Sequence, residues 1–361
     1  ASGCIGLDFF LFDPEQASSI EEDYHGLPLW NGDGAPQWVL DAEVEREIYL
    51  RVPSAEVLSP GALDGEGSYL HGVFLHAPAT CPVAQCPLIE VPPTFIYQHG
   101  NSGHMWRYWW RAVALWSLGA DVFIYTYRGY GLSKGEPTTG NVLADAATAI
   151  AYVSARPDVD PQRIVAYGYS MGGVPASYLV GASAYKQVFA ACILEASLDS
   201  PETIVEVATG TDFPGGFFLD EDSPFDGPDF IKGSALPILH MHGGADDVLS
   251  LGGAEHYYQV LESRPDYTHY LGKTDKPDEV WIKACKHRNV PAWSWAAAQH
   301  IADYWGSEDN PHHCCVHPLE YPDPVNAGFL AAIGDTTGDE LLAASLDYRR
   351  LLADWLLVNL P

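Results

Sequence analysis

Apolar residues along this chain follow two successive patterns. Residues 1–45 mix aromatic, acidic and Gly/Pro positions, such as Phe9, Phe10, Phe12, Trp30 and Asn31-Gly32-Asp33-Gly34, without a sustained period, and read as an irregular lead-in. Alternating apolar positions follow, Ile48, Leu50 and Val52 and then Leu70, Val73 and Leu75, predicting two antiparallel strands joined by the glycine-rich turn at 61–67. From there the pattern changes to short continuous apolar runs, Thr94–Tyr97, Val122–Tyr127, Arg163–Tyr167, Val188–Leu194 and Leu236–Met241. Stretches of helical spacing separate them: one carrying Trp106, Trp109, Trp110, Val113 and Leu115, one from Val142 to Ala155, and one from Gly173 onward. Glu279–Lys283 reads as the next strand and Tyr348–Leu360 as a final helix. Strands that are apolar on both faces and alternate with helices need cover on both sides, so the fold class is α/β with a mostly parallel central sheet flanked by helices. No fixed-period repeat or Gly/Ser-rich linker divides the chain. Residues 46–361 therefore read as one domain, with a small lid at 199–233 and a long insertion at 288–344 before the C-terminal helix.

Composition narrows the partners. Among 361 residues, 48 are acidic and 18 basic, a formal net charge of −30, which argues against nucleic acid or an anionic membrane surface. A hydrophobic share of 47% with 18% charged residues fits a packed domain and excludes disordered or collagen-like character. The apolar run from Arg111 to Tyr127 is broken by Asp121, so no spanning helix is expected and the chain reads as soluble or merely anchored. Ala1-Ser2-Gly3-Cys4 resembles the end of a bacterial lipoprotein signal, the other reading being a chance match. The expectation it carries is a secreted or periplasmic protein with a lipid anchor at Cys4. Cys81 and Cys86 are spaced to close a small disulfide loop in an oxidising compartment, with idle buried thiols as the alternative.

The chemistry centres on Gly168-Tyr169-Ser170-Met171-Gly172, which fits G-x-S-x-G. Glycines on both sides let a strand turn sharply into a helix with the serine at the bend, and here a buried run precedes the motif while small residues follow it. A serine nucleophile needs a base, an orienting carboxylate and donors for the developing oxyanion. Asp246 and Asp247 lie just beyond the strand that ends at Met241, where open α/β sheets place their sites, and His287 follows the next expected strand. The order Ser, Asp, His is thereby met.

These residues resemble the α/β-hydrolase family, especially its compact bacterial lipoprotein-type and depalmitoylase-like serine hydrolases, from about Pro92 to His287. Tyr97-Gln98-His99-Gly100-Asn101-Ser102-Gly103 is similar to the family's loop after the third strand, so the resemblance implies an oxyanion hole at Asn101 and Met171. Tyr127-Arg128-Gly129-Tyr130-Gly131-Leu132-Ser133 resembles a structural stretch of the family. His242-Gly243-Gly244-Ala245-Asp246, with Leu249 as the apolar position, resembles its acid motif and favours Asp246 over Asp247. The base motif departs from the family, because the glycine before the histidine is missing in Lys283-Ala284-Cys285-Lys286-His287. His287 is preferred as base because a strand is expected just before it, with His300 and His317 as alternatives.

The implied activity is hydrolysis of a carboxylic ester or thioester through an acyl-enzyme, acting on a small-molecule ester or acyl substrate, with no cofactor. Alternatives are a serine peptidase and a catalytically silent binding protein on the same fold. No metal is expected, because the potential ligands of His312, His313, Cys314, Cys315 and His317 crowd too closely to converge on one tetrahedron. A disulfide from Cys314 or Cys315 to Cys285 would instead pin the insertion beside the base. Trp106, Trp109 and Trp281 are candidates for lining an acyl pocket, the other reading of such aromatics being core.

Overall fold

Among the described residues, eight strands form the central sheet, in the spatial order β10-β9-β8-β7-β4-β6-β3-β2. The computed structural model describes residues 11–17, 42–79, 88, 90–200, 202–203, 225–242, 246, 248–249, 251–262, 267–271 and 352–361. β2 (Val44–Arg51) and β3 (Tyr69–Leu75) make the expected antiparallel pair, and β3 runs antiparallel to β6 (Asp121–Thr126). All further neighbours are parallel: β4 (Thr94–Gln98) between β6 and β7 (Ile164–Tyr169), then β8 (Phe189–Glu195), β9 (Ile238–His242) and β10 (Tyr267–Leu271). The short β1 (Asp13–Pro14) pairs with β5 (Ser102–Gly103) outside this sheet.

Alternation along the central strands sends neighbouring side chains into two cores. Ile96 and Phe123 pack on one face with α2 (Thr139–Ser154) and α3 (Gly173–Gly181), whereas Phe95, Tyr97 and Val122 pack on the other with α1 (Trp109–Trp116) and the helical residues 352–359. α2 starts where Thr138 caps it, its hydroxyl accepting from the Asn141 N–H at 3.1 Å, and Val142, Ala146, Ala149 and Val153 recur on its buried face.

Three features of this arrangement bear on the site. The strand after β9 is β10, preceded by α5 (Leu251–Leu261), so it enters the sheet ahead of the segment expected there. Glu279–Lys283 itself lies outside the described residues. Within the segment read as a lid, Phe225 and Ile231 are fully buried, and α4 (Gly227–Ile231) lies on α3 so closely that a Cβ at Gly181 would collide with the Phe230 carbonyl. In the lead-in, Leu11 and Phe12 are buried, and β1 lies along the loop that follows β4.

Candidate active site

Ser170 follows the last residue of β7 and sits in the left-handed backbone region at φ +54°. A short 3-10 turn, Ser170–Gly172, then leads into α3. Holding a non-glycine residue there costs about 1–3 kcal/mol and persists only where the surroundings enforce it. Glycines supply the room. A Cβ at Gly168 would lie 2.5 Å from the Gly172 carbonyl oxygen and 2.8 Å from the Ala176 Cβ, while a Cβ at Gly172 would run into the carbonyls of Gln98 and His99. The Leu198 N–H donates to the Ser170 carbonyl at 2.9 Å and ties the turn to the segment after β8.

The loop leaving β4 lies against this turn, since a Cβ at Gly100 would come within 3.4 Å of the Ser170 Cβ. Asn101 stands in that loop, and its side chain is engaged elsewhere, Nδ2 donating to the Leu11 carbonyl at 3.1 Å and Oδ1 accepting from Ser102 Oγ at 3.2 Å. All four carbonyls from His99 to Ser102 are held. Tyr127 donates to His99 O at 3.0 Å, His99 Nδ1 to Gly100 O at 2.7 Å, Tyr130 to Asn101 O at 2.8 Å, and Tyr108 to Ser102 O at 2.9 Å. The acceptor is a carbonyl, so His99 must carry its proton on Nδ1. Met171, the other expected oxyanion donor, directly follows Ser170, with its side chain in the core.

On the opposite flank, β9 ends at His242, and Asp246 lies in the loop just beyond it. The Asp246 Oδ1 accepts from the N–H groups of Val248 and Leu249 at 2.9 and 2.7 Å. Its Oδ2 is 3.4 Å from His242 Nε2, which donates to the Leu249 carbonyl at 3.0 Å. The carboxylate is thereby buried and oriented at the end of a strand next to the serine's side of the sheet. Asp247, the three candidate bases His287, His300 and His317, Trp281, the side chain of Trp106, and every cysteine except Cys192 lie outside the described residues. Trp109 is fully buried among the core residues that pack α1 on the sheet, the core alternative of its two readings.

Among the described residues, two buried ion pairs lie beside the site, and nothing in the sequence singles out either carboxylate. Arg111 on α1 binds Glu195 at the end of β8, at 3.1 Å from NH2 to Oε1, and its guanidinium lies 3.5 Å over the ring of Tyr169, the residue before Ser170. Tyr167 also donates to Glu195. Arg128, in the turn that carries Tyr127 and Tyr130, binds Asp145 of α2 at 2.5 Å, and the Arg128 N–H donates to the same carboxylate at 2.9 Å. Burial pushes the Asp145 carboxyl up to about 7 despite the opposing pull of Arg128. In the sequence each pair shows only as a charged residue on an aromatic helix or on an otherwise apolar helix face, and neither names its partner.

Among the described residues, Glu45, His76 and Asp158 bring metal-ligand atoms close together. They lie at the other end of the sheet, where Arg156 NH2 already contacts both carboxylates at 2.6 Å.

A family model described as the alpha/beta hydrolase fold matches residues 93–217. The chain is 32% identical over 224 residues to the uncharacterized protein YfhR of Escherichia coli K12, covering 60% of this chain and 74% of that one. It is 28% identical over 217 residues to the human alpha/beta hydrolase domain-containing protein 17B, covering 57% and 65%. Among solved structures, an esterase from Pyrococcus furiosus superposes with a TM-score of 0.53 at 12% identity, over 97% of this chain and 99% of that one. An acylaminoacyl peptidase from Pyrococcus horikoshii gives 0.51 at 12% identity, over 89% and 42%. With its mostly parallel central sheet, its glycine-packed serine turn and these relatives, the chain belongs to the α/β-hydrolase fold family.

Proposed function

We propose that this chain is a serine hydrolase that cleaves a carboxylic ester or thioester through an acyl-enzyme. The observation that carries the reading is Ser170 held at φ +54° in a strand-to-helix turn so tight that its flanking glycines touch the neighbouring backbone. Such strain at a strand end serves to present a side chain, and a packing role does not call for it. Ser170 attacks the acyl carbon, His287 takes its proton and later passes it to the leaving alcohol or thiol, and Asp246 holds the imidazole in the required tautomer. The N–H groups of Asn101 and Met171 receive the oxyanion, in keeping with the loop of Asn101 lying against the serine turn. The strongly acidic chain and the aromatic segments around the site favour an uncharged acyl group over a polyanion.

The test is hydrolysis of p-nitrophenyl acetate, butyrate and octanoate, and of an acyl p-nitroanilide, together with fluorophosphonate labelling. Wild type is compared with Ser170→Ala and with single alanine variants of His287, His300 and His317. Ser170→Ala is expected to abolish labelling and to lower turnover at least about 10⁴-fold, with one histidine variant doing the same. Folded wild type that neither labels nor turns over any ester would overturn the reading, and preference for the anilide would move it to amide cleavage.

A further inference from the structure

Three tyrosine hydroxyls converge on one five-residue loop, and nothing in the serine turn itself accounts for them. Resting on the serine-hydrolase reading above, we propose that Tyr108, Tyr127 and Tyr130 are positioning residues that lock the peptide planes of the oxyanion loop and so aim the Asn101 N–H. In a trans peptide the C=O of one residue and the N–H of the next point in opposite directions, so fixing a carbonyl fixes the following amide. The carbonyl that sets the Asn101 N–H belongs to Gly100, and it accepts from His99 Nδ1 at 2.7 Å. His99 is in turn caged by the same three tyrosines, its ring 5.3 Å from Tyr108, 4.2 Å from Tyr127 and 5.5 Å from Tyr130, centroid to centroid. The hydroxyls then take the carbonyls on either side of Gly100: His99 O, Asn101 O and Ser102 O.

The loop needs this outside help. Gly100 and Gly103 are permissive, Gly103 at φ +72°, and β5 is a two-residue strand paired only with β1 among the described residues. Donors accelerate a reaction most when they are already oriented before charge develops, because no reorganisation then accompanies the transition state. Burial raises the Tyr127 and Tyr130 hydroxyls well above their ordinary range, so both remain protonated donors through the neutral and mildly alkaline pH in which an ester hydrolase is assayed.

The experiment uses the full chain and single Tyr→Phe variants, which delete a hydroxyl and keep the ring around His99. Tyr152→Phe, whose hydroxyl accepts from Arg156 away from the loop, is the control. Each protein is assayed for p-nitrophenyl ester turnover, for thermal midpoint, and for affinity toward a trifluoromethyl ketone, which forms a tetrahedral oxyanion on a reactive serine. Tyr127→Phe and Tyr130→Phe are expected to lower kcat about 10- to 100-fold with KM within about threefold, and to weaken the ketone in step with kcat/KM, while Tyr152→Phe stays within about twofold. Loss of one buried hydroxyl removes a small share of a domain's stability, so the variants are expected to fold. Should Tyr127→Phe fail to do so, Tyr130→Phe and Tyr108→Phe decide. Folded variants with a lower thermal midpoint but unchanged kcat and ketone affinity would make the tyrosines structural and overturn the proposal while leaving the hydrolase reading intact. Wild type inert toward both ester and fluorophosphonate would sink both.

Discussion

Two loops at the same end of the sheet hold the groups on either flank of Ser170, and they are held in opposite ways. The loop of Asp246 is braced from within: His242, Val248 and Leu249, all within seven residues of one another, supply the contacts to its carboxylate. The loop of Asn101 has local contacts from His99 and Tyr108, but it is also braced from outside, by Tyr127 and Tyr130 lying 28 and 29 residues beyond their acceptors and by Leu11 lying 90 residues before Asn101. Bond lengths are alike in the two, so the difference is one of wiring. A self-braced loop carries its geometry wherever its own sequence goes, whereas an externally braced one depends on how well the rest of the fold is packed.

The largest effect that would sharpen this contrast is at the carboxylate itself. Asp246→Asn keeps the volume and the two backbone N–H donors to Oδ1 yet removes the charge; if Asp246 orients the base as proposed, kcat is expected to fall about 10³- to 10⁴-fold with KM little changed. Steady-state ester kinetics check it. A loss under about tenfold would instead point to Asp247 as the orienting acid. The tyrosine deletions, at about 10- to 100-fold, come next. Below them stands His242→Asn, which withdraws one of the three groups around Asp246. Two amides still fix Oδ1, so about a 3- to 10-fold fall in kcat is expected. If His242→Asn were as damaging as Asp246→Asn, the acid loop would rely on a single contact and its self-bracing would be refuted.

The same wiring explains what could be read from the sequence. Ser170 was legible because its constraint is local: Gly168 and Gly172 are needed within two residues of it, and a buried strand precedes them. Asp246 was legible because its motif contains its own support. Tyr127 and Tyr130 are visible in the sequence only as part of a structural stretch, since nothing between residues 102 and 127 indicates that their hydroxyls would reach the carbonyls of the preceding loop. Glu195 and Arg111 are separated by 84 positions, and their pairing becomes apparent only when β8 and α1 meet. Among the strands, β4, β6, β7, β8 and β9 announced themselves by being apolar on both faces. β10 did not, because Tyr-Thr-His-Tyr-Leu carries polar residues and, among the described residues, pairs on one side only, so the reading passed over it to Glu279–Lys283. For Trp109 the spacing allowed either core or pocket, and burial supplied what spacing lacked.

The smallest expected effect lies at the far end of the sheet and bounds the comparison from below. There Arg156 joins Glu45, on the edge strand β2, to Asp158, with His76 2.7 Å from Glu45. Hydrogen bonding from Arg156 holds the Asp158 carboxyl below its usual range, and at Glu45 burial pushes upward but the bonds from Arg156 and His76 outweigh it. Carboxylates depressed in the folded state add stability above their unfolded pKa, about 4, and lose it as pH falls through the folded value. Both groups are well exposed, so solvent screening leaves the Asp158 contribution under about 1 kcal/mol. Asp158→Asn should therefore lower the thermal midpoint by about 1–3 °C at pH 7, and by progressively less as pH falls through the depressed folded pKa of Asp158. Its kcat should match wild type, because β3 runs antiparallel to β6 and so ends, at Leu75 beside Val122, opposite the edge that carries both loops. Thermal melts across this pH range and one ester assay settle the matter, and a fall in kcat beyond about twofold would mean that the bracing of the Asn101 loop extends through the whole depth of the sheet.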